Sequence, residues 1–368
     1  MKTSFLSTRS QFLKLSALSL VGTLAIGMLT ACGSPNATTP TATPEATSGD
    51  SKAASGEPIK LTLVSYAVTQ SAYEQIIPKF VEAWKAKTGQ TVTIEQSYGG
   101  SGSQTRAVID GLEADVVALA LALDTAKIEE AGLIEPGWEE ELPNGSIVHR
   151  SVAALVFRDQ GLGIKGWADL ARDDVEVITA NPKTSGGARW NFLALWGAVT
   201  QAGQPETEAQ AFLDQVFSQA PVLPKDARES TEVFFKQGQG NVLINYENEV
   251  LLAESKGETL PYLVPTDYNI SIDSPVAVVD ANVDRHGTRE VAEAFAAFLF
   301  TPEAQREFAK VGFRPVDPAV IPEFADKYPT IQNLFTVADL GGWDQIQTKF
   351  FADNAAFDQM QQRIESSR

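Results

Sequence analysis

The chain has 368 residues, 43% of them apolar, enough for two domains and a sizeable core. Its formal charge is −18, and because Lys2, Arg9 and Lys14 are the only charges in the first 31 residues, the remainder stands near −21. That balance excludes a basic nucleic-acid surface and any general attraction of anions, while one cysteine and two scattered histidines, His149 and His286, exclude an internal disulfide and leave no basis for a transition-metal site.

Lys2, Arg9 and Lys14 precede an apolar run from Leu15 to Leu29 that is too short for an ordinary membrane span and reads as an export signal over residues 1–31. It ends in Leu29-Thr30-Ala31-Cys32, which resembles the bacterial lipobox and implies lipidation of Cys32 after cleavage. Residues 32–57 are rich in Ser, Thr, Ala, Pro and Gly, a composition that makes a flexible tether.

The globular part opens with an alternating strand, Ile59 to Tyr66, and the loop Ala67-Val68-Thr69-Gln70. Tyr73, Ile76, Ile77, Phe80, Val81 and Trp84 fall at helical spacing up to Gly89, with Pro78 expected to bend that helix or mark its true start. A strand Thr91 to Gln96 leads into Ser97-Tyr98-Gly99-Gly100-Ser101-Gly102-Ser103-Gln104, a small-residue turn before a helix from Thr105 to Leu112. The turn lacks the Gly-Lys-Ser/Thr ending of a P-loop and the acidic partner of a dinucleotide fingerprint. Asp115 to Leu123 reads as a buried strand, Asp124 to Ala131 as a short helix and Ile147 to Phe157 as another strand.

Val175 to Thr179 feeds the turn Asn181 to Trp190, ahead of a helix from Asn191 to Val199. Pro182 disfavours helix before it, Ser185 is a good N-cap, and Gly186-Gly187 leaves the first N–H groups of the helix open. With the positive end of the helix dipole, such a turn can hold an oxyanion with no basic side chain in contact. The same turn would equally let a helix pack closely on a sheet. A helix from Thr207 to Phe217 follows, then a third turn into a helix at Pro221 to Thr231, a strand Asn241 to Tyr246, a helix Glu247 to Ser255 and a strand Ser274 to Val279. Arg289 to Leu299 and Pro302 to Lys310 are amphipathic helices, and the tail from Leu334 to Met360 is predicted to be helical around Trp343 and Phe350.

Alternating strands and helices predict a doubly wound α/β fold, and turns of small residues without a catalytic constellation point to binding rather than catalysis. In order and spacing, Gln96 to Gly102, Asn181 to Trp190, Ala227-Arg228-Glu229-Ser230-Thr231 and Tyr246-Glu247-Asn248-Glu249 resemble the sulfate-binding proteins of bacterial ABC uptake systems, from about Ile59 to the C-terminus. The resemblance implies a type II periplasmic-binding-protein fold, two lobes joined by crossover strands: 58–150 with 272–330 as one lobe, 151–271 as the other, and 331–368 as a helical segment packed on the lobes.

It also implies a sulfate held in the cleft by neutral donors. The hydroxyl of Ser101 would donate, together with backbone groups of Ala67, Ser185, Gly186, Gly187 and Ala227. Tyr246 stands where the family has a tryptophan, and Ala67, Val68 and Gln70 stand where it has aspartate, proline and arginine. Arg106, Arg189 and Arg228 read as surface or lobe-packing residues. The implied protein is a monomer without cofactor or metal, anchored by lipid outside the cytoplasmic membrane and delivering its anion to a membrane permease. Thiosulfate, molybdate or phosphate in the same cleft is the alternative. A hydrolase using Ser101 or Ser185 as nucleophile is more remote, since only Lys183 lies near as a base.

Overall fold

The computed structural model describes residues 58–367. The export signal, Cys32 and the tether lie outside those residues. In chain order the first part runs β1 (Ile59–Tyr66), a 3-10 turn (Ala67–Thr69), α1 (Gln70–Thr88), β2 (Val92–Gly99), α2 (Ser101–Ile109), β3 (Val116–Ala118), α3 (Ala122–Glu130), α4 (Trp138–Glu141), β4 (Ile147–Ser151) and β5 (Ala153–Phe157). Next come β6 (Val177–Ile178), α5 (Gly186–Thr200), α6 (Glu206–Ser218), α7 (Ala227–Phe235), β7 (Val242–Tyr246), α8 (Glu247–Ser255), β8 (Tyr262–Leu263), β9 (Tyr268–Ile270) and β10 (Ile272–Val278). The last part is α9 (Asp280–His286), α10 (Arg289–Phe298), α11 (Pro302–Lys310), β11 (Asn333–Phe335), α12 (Trp343–Ile346), a π-helical turn (Gln347–Phe351) and α13 (Ala356–Ser367).

Two larger sheets carry the molecule. One has the order β2-β1-β3-β10-β4, the other β6-β7-β5-β8. In the first, β1 is parallel to β2 and β3, while β10 runs antiparallel to β3 and β4. Alternation along β1 sends Leu61 and Leu63 to one face, into a cluster with Tyr73, Ile76 and Phe80 of α1, and Val64 to the other, beside Val117, Ile128 and Trp138. Both faces are therefore covered, as a largely parallel sheet requires.

The chain passes between the sheets at single residues. β4 ends at Ser151 in the first sheet and β5 begins at Ala153 in the second, and Ser271 alone separates β10 of the first sheet from β9, which forms a two-stranded sheet of its own with β11. A third passage follows Arg314, whose backbone exchanges hydrogen bonds with Arg150 (2.9 and 2.8 Å), and leads to β11, paired in parallel with β9. Among the described residues no helix is long and apolar enough to cross a membrane.

Several element boundaries differ from expectation. Pro78 lies inside α1, which starts at Gln70 and continues to Thr88; the hydrogen bond it cannot make is outweighed by the buried face around it, from Tyr73 to Trp84. The helices after the small-residue turns begin at Ser101 and Gly186, four to five residues earlier than predicted, so the glycines themselves form the first turns. The strand expected over 147–157 is two strands belonging to two sheets. The tail expected to be helical from Leu334 opens with a strand, because pairing with β9 supplies its backbone partners.

His149 of β4 lies at the passage between sheets, buried among the rings of Phe313 (4.0 Å between centroids), Phe308 (4.8 Å) and Tyr66 (6.3 Å). Burial lowers its pKa to about 3. The unfolded chain takes up this proton below about pH 6.5 and the folded chain does not, so the contribution is full above 6.5 and is lost as pH falls towards 3, at up to about 1.4 kcal/mol per pH unit. His149→Leu is accordingly expected to flatten the loss of thermal stability between pH 6.5 and 4; parallel slopes for parent and variant would contradict it.

Candidate functional site

Three helices and one 3-10 turn begin at the same place. Ser101 opens α2, Gly186 opens α5, Ala227 opens α7, and Ala67 opens the turn after β1. The first N–H groups of a helix have no acceptor within it. Side-chain caps take the later ones: Ser185 Oγ accepts from Ala188 N (3.2 Å) and Asp226 Oδ1 from Glu229 N (2.8 Å). The N–H groups of Gly186, Gly187 and Ala227 are left to face outward from the helix starts.

These starts surround a cavity with about 180 Å³ of empty space, lined by Ala67, Ser101, Ser185, Gly186, Gly187, Ala227 and Tyr246, the seven residues singled out above. Tyr66, Val68, Gly99, Gly100, Ala120 and Asp226 complete the wall. No lysine or arginine lines it, and its one carboxylate, Asp226, is engaged as the cap of α7. Small residues are a steric necessity here. A Cβ on Gly100 would lie 2.5 Å from the Thr184 carbonyl oxygen, one on Gly186 would lie 2.7 Å from Ala120 Cβ, and one on Gly187 would lie 2.7 Å from the Tyr246 ring.

The hydroxyl groups divide differently from expectation. Ser101 Oγ donates to Asp124 Oδ2 (2.6 Å) and accepts from Ala120 N (3.0 Å), so its proton is committed to a carboxylate and only its backbone N–H is available. Ser185 N, expected to donate to the anion, instead donates to the Asn181 carbonyl (2.9 Å) within the turn, whereas Ser185 Oγ accepts a helix N–H and its proton has no acceptor among the described residues. The Tyr246 hydroxyl is buried without a hydrogen-bond partner among the described residues, and burial raises its pKa well above the usual phenol range, which keeps the proton in place. A buried hydroxyl without a partner is costly in a finished fold and marks a donor aimed at something else. Among the described residues neither serine is hydrogen-bonded to a histidine or lysine, and the Asp124 carboxylate that takes the Ser101 proton is itself paired with Arg189.

The arginines knit the walls together. Arg189 donates from Nη1 to Asp124 Oδ1 at 2.7 Å, both side chains almost wholly buried, and Trp190 Nε1 donates to the Ala120 carbonyl at 2.8 Å. Asp124 thus holds Ser101 on one side and Arg189 on the other, a role with no local signature in the sequence. Arg106 reaches the Lys183 carbonyl (3.3 Å). Arg228 reaches that of Val68 (3.4 Å) and pairs with the buried Glu249 at 2.8 Å. Burial raises the Glu249 pKa, while Arg228 and Thr231 oppose the rise.

The description "bacterial extracellular solute-binding protein" belongs to the protein family whose profile matches residues 61–314. The sulfate-binding protein of Synechocystis sp. is 59% identical over 347 residues, covering 94% of this chain and 96% of its own. That of Escherichia coli is 42% identical over 83% of this chain and 94% of its own. A thiosulfate-binding protein of Pseudomonas aeruginosa is 36% identical over 81% and 90%. Among solved structures, the sulfate-binding protein SubI of Mycobacterium tuberculosis superposes with a TM-score of 0.73 at 36% identity, over 80% of this chain and 99% of that one. The architecture is the two-lobed type II periplasmic-binding-protein fold.

Proposed function

This chain belongs to the bacterial extracellular solute-binding proteins, and we propose that within that family it captures sulfate between its lobes and delivers it to an ABC permease. One observation supports the reading: a cavity that no lysine or arginine lines is walled by residues able to offer seven neutral donors. They are the backbone N–H groups of Ala67, Ser101, Gly186, Gly187 and Ala227 and the hydroxyls of Ser185 and Tyr246. Hydrogen bonds to a charged group contribute about 1.5–3 kcal/mol each, so seven sum to roughly 10–20 kcal/mol. Association and lobe closing cost several kcal/mol, and what remains is compatible with about micromolar binding, near −8 kcal/mol. A fully ionised sulfate needs donors only; the five backbone N–H groups can only donate, and the two hydroxyls can donate although they can also accept.

Sheet membership supports one lobe of residues 58–150 and 272–330 and another of 151–271, with 331–368 packed across them. Lobes that close on the anion should make the particle more compact in small-angle scattering when sulfate is added. Export, the lipid anchor at Cys32, a place outside the cytoplasmic membrane and a monomeric state complete the proposal. Each buried methylene of an acyl chain contributes about 0.8 kcal/mol to such an anchor.

Calorimetric titration with sulfate, followed by competition with thiosulfate, molybdate and phosphate, tests the ligand. Sulfate is expected to bind most tightly, and tighter binding of any of the other three would reassign the site. Tyr246→Phe removes one donor while keeping the ring over Gly187, so sulfate affinity should fall about ten- to a hundredfold with the fold retained. An unchanged dissociation constant would remove Tyr246 from the site.

A further inference from the structure

Lys183 and Arg189 are the two cations of the turn from Asn181 to Trp190, and both are absent from the cavity wall; Lys183 points instead to the C-terminal segment. Its ammonium has three donors, and three acceptors surround it: Asp358 Oδ2 at 2.8 Å and the carbonyls of Phe351 (3.2 Å) and Ala352 (3.4 Å). Those carbonyls lie at the end of the π-helical turn, where backbone oxygens carry partial negative charge, and the Ala352 oxygen also accepts from Ala355 N (3.0 Å). Asp358 Oδ2 also accepts from Asn354 N (2.8 Å), which fixes the carboxylate.

The backbone of the turn is tightly wound behind this anchor. Lys183 N donates to Asn181 Oδ1 (2.9 Å), and Thr184 N and Ser185 N donate to the Asn181 carbonyl (3.1 and 2.9 Å). The same C-terminal segment then grips α5 along its length. Trp343 meets Trp190 edge-on (5.0 Å between ring centroids), Phe350 and Phe351 meet Phe192 (5.3 Å each), and the Phe335 ring fills the space above Gly197.

We propose that Lys183 is a positioning residue of the anion site. Held by Asp358 and the two carbonyls, it sets the direction in which Ser185 O–H and the Gly186 and Gly187 N–H groups point, and it does not act through its charge on the anion. The proposal rests on the sulfate reading of the cavity for its binding test, and on the structure alone for a second one.

In the full-length chain, Lys183→Ala and Asp358→Ala should each weaken sulfate binding roughly three- to tenfold, and the double variant should be no more than about twofold worse than Lys183→Ala, since Asp358 acts only through Lys183. Lys183→Arg should restore most of the affinity. Tighter binding by Asp358→Ala would show that Lys183 works by direct charge attraction. Lower melting temperatures with unchanged dissociation constants would show a stabilising contact only. Either result overturns the proposal.

Amide hydrogen exchange without sulfate gives the second test: the amides of residues 183–189 should exchange faster in both alanine variants than in the parent. Unaltered exchange there overturns the proposal as well. Should the parent fail to bind sulfate, the ligand assignment is at fault, and the exchange measurement still decides the role of Lys183.

Discussion

Gly186→Ala is expected to weaken sulfate binding roughly a hundredfold while the protein stays folded. The added Cβ would stand 2.7 Å from Ala120 Cβ, 2.8 Å from Leu121 Cδ2 and 3.1 Å from Ser101 Cβ. Ala120 and Ser101 belong to the opposite wall of the cavity and present Cβ atoms that cannot swing away, while Leu121, beside them, is fully buried. The backbone at Gly186 is ordinary helix, so alanine is conformationally acceptable and the clash arises only when the walls meet. Overpacking of a tight contact costs typically 1–3 kcal/mol, and here the whole cost falls on the closed form. The variant should therefore melt within a few degrees of the parent without ligand and lose the rise in melting temperature that sulfate confers. A sulfate dissociation constant within about threefold of the parent would show that the walls do not close as described.

Ser185→Ala is expected to lower sulfate affinity about ten- to a hundredfold, whereas Ser101→Ala should lower it less than about fivefold. Ser185 supplies an O–H with no competing acceptor, and its loss also removes the cap of α5, worth about 1 kcal/mol of stability. The Ser101 hydroxyl already serves Asp124 and Ala120, so its removal leaves the backbone donor in place. The damage there should appear in stability, by roughly 1–3 kcal/mol, because a buried carboxylate and a buried N–H each lose a partner. Calorimetry and thermal melts on the two variants check both halves. The opposite ranking of affinities would return the hydroxyl role to Ser101.

That contrast also shows what could be read from residues alone. The small-residue turns were legible because a helix start needs few residues to announce itself: a capping side chain, glycines and a following apolar period. The seven residues expected at the site come from the resemblance to sulfate-binding proteins that those turns carry, not from the turns alone. The division of labour between Ser101 and Ser185 was not legible, since it depends on Asp124, which lies 23 residues from one and 61 from the other and has no motif of its own. The strands β8, β9 and β11 escaped for a different reason. With two or three residues each they are too short to show a period of two, and pairing with a distant segment creates them. The tail illustrates the same limit, since its aromatic residues read as an ordinary amphipathic helix, while their partners Trp190 and Phe192 lie some 150 residues upstream.

The placing of those partners has a kinetic consequence. β10, from residues 272–278, is inserted between β3 and β4, so the first sheet remains two unjoined pieces until the chain has been made well past its midpoint. The helix that opens at Gly186 stays bare on one side until Phe335, Trp343 and Phe350 arrive. Contacts of such long sequence separation make folding slow and late. A newly made chain therefore spends its synthesis time without a finished anion site, and the packing behind that site is complete only after the last hundred residues have been made.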